Sequence, residues 1–190
     1  MTQSNYGGSA GAGDVNRNID PAVTGAGQEP ITARTNDDLT DTGEAVRQIN
    51  SFLRGEISAA ETYRMAIDKV ADSDQSHAAN LGLLREIQEE HGRAAQALRD
   101  RIRELGGEPS DSSGAWGAWA KFTQGTANLF GDASALKSLK EGEEHGLKDY
   151  QEGVDDIDAT SSELVQNQLI PAQQRHINLL DQLINSVGRA

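Results

Sequence analysis

An all-α fold, a four-helix bundle made of two helical hairpins, follows from two observations on the sequence. Apolar residues step in alternating threes and fours along four stretches, the spacing of a buried helical seam. The polar residues that interrupt these seams in the first half of the chain recur, at nearly the same spacing, in the second. With 190 residues and 36% hydrophobic content the chain supplies the core of one domain.

Residues 1–40 carry no sustained apolar period. The segment from Met1 to about Asn36 is built from Gly, Ser, Ala, Asn, Asp and Thr with Pro21 and Pro30, and it reads as a disordered tail ahead of a bundle at 41–190. The tail serves either as a solvated leader or as a tether for a partner. Asp38, Thr40 and Asp41 then offer N-caps for a first helix from about Asp41 to Ala71, with the seam Val46, Ile49, Leu53, Glu56, Ala60, Tyr63, Ile67 and Val70. Asp72-Ser73-Asp74 ends it. A second helix from about Gln75 to Leu105 carries Leu81, Leu84, Gln88, His91, Ala95, Leu98, Ile102 and Leu105, and Gly106-Gly107 with Pro109 stops it.

Residues 108–132 form a long connection that holds Trp116, Trp119, Phe122 and Phe130. The spacing of Trp116, Trp119 and Thr123 predicts a short amphipathic helix laid across the bundle; the alternative is an exposed aromatic surface over 114–130 that meets a partner, a membrane or a second copy in a homodimer. A third helix from about Ala133 to Ile157 has the seam Leu136, Leu139, Glu143, Gly146, Tyr150, Gly153 or Val154, and Ile157. A fourth from about Ser161 to Val187 has Val165, Leu169, Gln173, His176, Leu180, Leu183 and Val187, and Pro171 either kinks it or opens a restarted helix.

Composition excludes several classes of function. Cysteine is absent, so a metal would be held by oxygen and imidazole nitrogen alone. A formal charge of −13 argues against nucleic acid as a partner. No apolar run is long enough for a transmembrane segment and no export signal is visible, which places the expected location in the cytoplasm. No Ser-His-Asp order, Gly-rich phosphate loop or basic aromatic stripe is present.

Gly55-Glu56 followed by Tyr63 recurs as Gly142-Glu143 followed by Tyr150, and Gln88-x-x-His91 recurs as Gln173-x-x-His176. The steps from Glu56 to His91 and from Glu143 to His176, 35 and 33 residues, span half a helix, a turn and half of the next. Each half is thus a hairpin whose polar insertions meet at mid-height, and pairing the halves gathers Glu56, Gln88, His91, Glu143, Gln173 and His176 into one layer. A buried carboxylate needs a cation, a strong donor or a metal ion beside it. Tyr63 and Tyr150 stand where a hydroxyl could donate to the carboxylates. His77 and His145 lie outside the layer, His145 on a solvated face beside Glu141 and Glu144.

This pattern resembles the ferritin-like superfamily, bacterioferritin and rubrerythrin among them, in which one helix of each half supplies Glu and the next supplies Glu-x-x-His. The resemblance covers residues 41–187. Gly-Glu-Ile-Ser-Ala-Ala-Glu-Thr-Tyr at 55–63 is similar to the first-helix signature of bacterioferritin, and Gly-Glu-Glu-His-Gly-Leu-Lys-Asp-Tyr at 142–150 to the third helix of rubrerythrin. The Gly-Gly-Glu-Pro exit of helix two and the Trp-Gly connector resemble an uncharacterised bacterial group of such proteins classed as a domain of unknown function. The resemblance implies a long crossover between helices 2 and 3, iron or manganese in the core, oxidase or peroxidase chemistry, and a role in oxidative stress or metal handling. Where the superfamily has bridging glutamates, this chain has Gln88 and Gln173, and a neutral amide is a poor bridge between cations. Three arrangements stay open. One ion is held by Glu56, His91, Glu143 and His176; or a weakened pair recruits water, Glu90 or Glu144; or no metal binds and each Glu is hydrogen-bonded to His or Gln, in a helical interaction or structural module.

Overall fold

Four helical rods make up the described part of the chain, a computed structural model that covers residues 36–71, 78–114 and 133–187, with the backbone alone at 36–40, 69–71 and 78–79. They are α1 (Asn36–Ala71), α2 (Ala78–Glu104), α3 (Ser134–Gly153) and a last rod made of α4 (Ala159–Leu164), a π-helical turn (Val165–Leu169) and α5 (Ile170–Val187). Among the described residues there is no strand. None of the helices is long and apolar enough to cross a membrane. The expected tail before residue 36, the stop at 72–74, His77 and the aromatic connector over 115–132 lie outside the described residues.

α1 packs chiefly on α2 and α3 on α5, giving two hairpins; α1 then meets α3, and α2 meets α5. Leu81 and Leu84 at the start of α2 share a cluster with Tyr63 and Ile67 late in α1, so α1 and α2 are antiparallel. Tyr63 reaches Glu143 while Glu56 reaches Tyr150, so α1 and α3 are antiparallel too. It follows that α2 and α3 run in the same direction. The described residues that leave α2 lie along α1. Asn50 donates to the carbonyl of Glu108 at 3.0 Å and accepts from the Ser110 N–H at 2.7 Å; Arg54 donates to Ser110 Oγ at 3.3 Å, and Ser113 to Glu61 at 3.1 Å.

Most seam residues are buried where the period places them: Ile49, Leu53, Tyr63, Leu84, Leu98, Ile102, Leu136, Leu139, Val165 and Leu180 are each 3% exposed or less, the mark of a tightly packed interior. Boundaries differ in instructive ways. α1 begins at Asn36, ahead of the Asp41 start expected, and α3 ends at Gly153 rather than Ile157, with Val154–Asp156 tightening into a 3-10 turn before Ile157 becomes extended. α2 stops as its glycines require. Gly106 has φ +79°, its N–H bonds to the carbonyl of Arg103, and that of Gly107 bonds to the carbonyl of Ile102, which completes a Schellman cap.

Pro171 lies in the first turn of α5, which resumes at Ile170 after the π-helical turn. It has no N–H for the carbonyl of Asn167, and its ring would crowd that carbonyl in a regular α-helix. The preceding turn widens instead, with the Ile170 N–H donating to the carbonyl of Val165, five residues back. The buried series Val165, Leu169, Gln173, His176 contains two successive steps of four, and the π turn absorbs the extra residue.

Asp158 caps this rod: its carboxylate accepts from the N–H groups of Thr160 and Ser161 at 3.1 and 3.2 Å, and from Arg101 at the end of α2 at 2.6 Å. The Arg101 Nε–H also donates to Ser161 Oγ at 2.9 Å. Losing an N-cap costs about 1–2 kcal/mol. Asp158→Ala is therefore expected to lower the melting temperature by several degrees, and Asp158→Asn, which keeps the cap but gives up the charge facing Arg101, by less. Equal losses in circular-dichroism melts would show that the ion pair rather than the cap carries the effect.

Candidate metal centre

Two apolar clusters fill the bundle, one around Tyr63, Leu84, Leu136 and Leu180, the other around Leu53, Leu98, Tyr150 and Val165. Between them lies a polar layer. Glu56 (6% exposed), His91 (1%), Glu143 (2%), Gln173 (5%) and His176 (2%) come together there from α1, α2, α3 and α5. His91 is bracketed by carboxylates, with Nδ1 2.8 Å from Glu56 Oε2 and Nε2 3.0 Å from Glu143 Oε1. His176 is bracketed as well, with Nδ1 3.3 Å from Glu143 Oε2 and Nε2 2.9 Å from Glu90 Oε2. The two imidazoles meet edge to face at 4.8 Å.

The two tyrosines cross over between halves. Tyr63 of the first half donates to Glu143 of the second at 2.5 Å, and Tyr150 of the second donates to Glu56 of the first at 2.5 Å. Gln173 donates to Glu143 Oε2 at 2.5 Å and to the Glu143 carbonyl at 3.1 Å. Every oxygen of the two buried glutamates thus has a donor, as burial demands.

Electrostatics follow from this crowding. Burial opposes a charge on His91, but Glu143 and Glu56 on either side outweigh it and push its pKa up to about 10. Burial alone would raise that of Glu143; the charge of His91 beside it, and the hydrogen bond from that ring, hold it down to about 2. Tyr63 and Tyr150 are pushed well above the ordinary phenol value by burial first and then by the carboxylates they serve, so both remain donors.

Gln88 does not join the layer. It is half-buried, while Ile87, 0% exposed, fills the core place between Leu84 and His91. Its counterpart Gln173 reaches the layer because it lies over Gly146, where a β-carbon would stand 2.9 Å from the Gln173 amide nitrogen. The residue equivalent to Gly146 in the first half is Ala59, which carries that β-carbon. Glu144, Glu141 and His145 are exposed; His145 pairs with Asp149 at 3.6 Å. Glu90 does join, at the edge, and so does Arg175, which donates to Glu90 Oε2 at 2.9 Å. Arg175 was not singled out from the sequence, although a signal existed: Glu90 and Arg175 each precede the layer histidine of their half and carry opposite charges.

A cavity of about 290 Å³ between α1 and α3 has Glu56, His91 and Glu143 on its wall. It follows the repeat: both members of seven pairs related by 87 positions line it, from Phe52 and Leu139 to Tyr63 and Tyr150, with the small pairs Gly55 and Gly142, Ala59 and Gly146 keeping it open. A second cavity of about 330 Å³ between α2 and α5 reaches His176, Glu90 and Arg175 from the other side.

The profile of one protein family, described as Domain of unknown function (DUF2383), matches residues 44–156, which is 113 of the 190 residues. The chain belongs to the DUF2383 family. Comparison with curated proteins and with solved structures finds no match. The DUF2383 region contains Glu56, Tyr63, Glu90, His91, Glu143 and Tyr150; Gln173 and His176 lie beyond it, on the last rod of this DUF2383 chain.

The donor set suits a divalent first-row ion. One ligand atom each from His91, Glu143 and His176 lie within 4.8 Å of one another, all three residues buried, and carboxylate with imidazole is the ligand chemistry of iron and manganese in proteins. Glu56, bonded to His91 at 2.8 Å, lies next to this triad.

Proposed function

We propose that this chain is a ferritin-like bundle that holds a single iron or manganese ion at His91, Glu143 and His176, with Glu56 as the fourth ligand, and that it acts in metal handling or in protection from oxidants. The observation that carries the reading is the buried His91, Glu143 and His176 triad, beside a second buried carboxylate. Charge supports one ion rather than two: with neutral imidazoles, Glu56 and Glu143 supply two negative charges, which balance one divalent cation. Gln173 then serves as a holder of Glu143, not as a bridge. The parallel course of α2 and α3 supports the ferritin-like part of the reading, as does the long connection between them.

An iron or manganese ion supplies one-electron chemistry toward dioxygen or peroxide. The protein's own part is positional. Tyr63 and Tyr150 fix the two carboxylates, His91 gives up the proton that it otherwise shares with them, and the cavity between α1 and α3 gives small molecules an approach to Glu56 and Glu143. A second reading, a helical module that works without metal, is favoured by one observation: both buried carboxylates already have protein donors at every oxygen.

Elemental analysis separates the two. Protein purified without chelator, and again after anaerobic loading with ferrous or manganous ion, is expected to carry close to one ion per chain, and Glu143→Gln to carry none. A wild-type chain that takes up neither ion leaves the metal-free module as the reading.

A further inference from the structure

We infer that Glu90 is a positioning residue: it takes the Nε2–H of His176 and so leaves Nδ1 as the nitrogen offered to the His91 and Glu143 cluster, while Arg175 holds Glu90 to that task. The consequence for metal rests on the proposed ion site; the assignment of the proton does not.

The geometry at His176 is unequal. Its Nε2 lies 2.9 Å from Glu90 Oε2, and its Nδ1 lies 3.3 Å from Glu143 Oε2. Glu143 is already engaged by Tyr63, His91 and Gln173, whereas among the described residues the imidazole is the one buried donor that Glu90 meets, Arg175 and Arg93 being exposed. A neutral ring has one N–H to give, and it goes to the nearer and less occupied carboxylate. Nδ1 then keeps its lone pair on the side of the triad. Carboxylates in this place raise the basicity of a ligating imidazole and fix its plane, and losing them typically costs 10–100-fold in metal affinity.

Arg175 makes Glu90 dependable. Its guanidinium donates to the oxygen that also serves His176, at 2.9 Å, and Arg93 lies 3.9 Å from the other oxygen. Glu90 is only 21% exposed, and the contact with Arg175 turns its carboxylate toward α5. The repeat gives the arrangement its logic. Glu90 and Arg175 occupy the same place one residue before the layer histidine in each half, so a position duplicated in sequence has been divided between an acid and its counter-cation. Glu90 thereby has an occupation other than ligand, which is consistent with one ion in the layer.

The test uses the full chain, metal-free, with ¹⁵N-labelled histidine at about pH 8.5, above the ordinary imidazole pKa of about 6.5. Long-range proton–nitrogen correlation reads which ring nitrogen of His176 carries the proton. Wild type is expected to show Nε2–H, Arg175→Gln to retain it in a less uniform population, and Glu90→Gln to lose the preference. Glu90→Asp, with a shorter reach, should restore it in part. A proton on Nδ1 in wild type, a ring that remains doubly protonated, or an unchanged Nε2–H in Glu90→Gln each overturns the inference. In wild type that binds manganous ion, Glu90→Gln should weaken binding about 10–100-fold at unchanged stoichiometry, and equal affinity overturns the positioning role. Should wild type bind no ion, the proton assignment still decides the inference, and only the metal reading falls.

Discussion

Changing His91 to Leu in the chelator-treated protein should lower the melting temperature by roughly 10 °C. The reason is not the loss of two hydrogen bonds as such. His91 is 1% exposed and sits between Glu56 and Glu143, both also buried, so an apolar side chain in its place leaves two carboxylates facing each other without a cation. Breaking a buried ion pair from one side costs about 3–5 kcal/mol, and in a domain of this size each kcal/mol moves the midpoint by about 2–4 °C. Glu143→Gln should cost less, roughly 1.5–3 kcal/mol, because the amide retains the shape and can still accept from Tyr63. The decisive comparison is His91→Leu with Glu56→Gln and Glu143→Gln combined, in which no buried charge is left unpaired. That triple variant is expected to melt above His91→Leu alone. If His91→Leu melts within a degree or two of wild type, the layer is wet enough to solvate its carboxylates and the energetic argument for a special site collapses.

Much of this centre was legible in the sequence because its residues interrupt otherwise regular seams. Glu56 and Glu143 stand where an apolar residue is due, and the period that exposes them also fixes that they face inward; both are buried. The repeat made the tyrosines visible, and each serves the carboxylate of the opposite half. Gln88 was misplaced for a reason that spacing alone does not carry. In a series of threes and fours, Ile87 and Gln88 are both admissible after Leu84, and spacing alone does not choose between them; Ile87 takes the core place, while Gln173 in the other half lies close over Gly146. Pro171 is a similar case: the proline announces a disturbance, but whether the backbone kinks, restarts or widens depends on which solution keeps Val165, Leu169 and Gln173 on the buried face. Asp158 was overlooked although its cap contacts with Thr160 and Ser161 are local; only its partner Arg101 is 57 residues away. The pairing of Glu90 with Arg175 was open to reading from the repeat, yet charges outside the seam are ordinarily a solvated face, and their inward role depends on how closely α2 and α5 approach.

The stability of the metal-free protein should pass through a plateau between about pH 4.5 and 6.5 and fall on both sides, with metal reversing the alkaline limb. His91 binds its proton more tightly in the folded chain, at about 10 against an ordinary 6.5, so its contribution is complete below 6.5 and is lost as pH rises through 10. Glu143 holds its charge down to about 2 against an ordinary 4.5, so its contribution is complete above 4.5 and is lost as pH falls through 2. Both statements describe one contact, counted once, between a charged imidazole and its carboxylates. The difference in melting temperature between wild type and Glu143→Gln isolates it from the repulsion of a chain with net charge −13, and should be largest inside that window. A ligating imidazole must be neutral, so an ion entering the layer displaces the His91 proton, and its apparent affinity should gain about tenfold per pH unit up to the pKa of that histidine. The manganese-loaded and chelated melting curves should accordingly diverge above pH 6.5, the loaded one holding while the other declines. Parallel curves across that range, in protein shown by elemental analysis to contain manganese, would remove His91 from the ligand set.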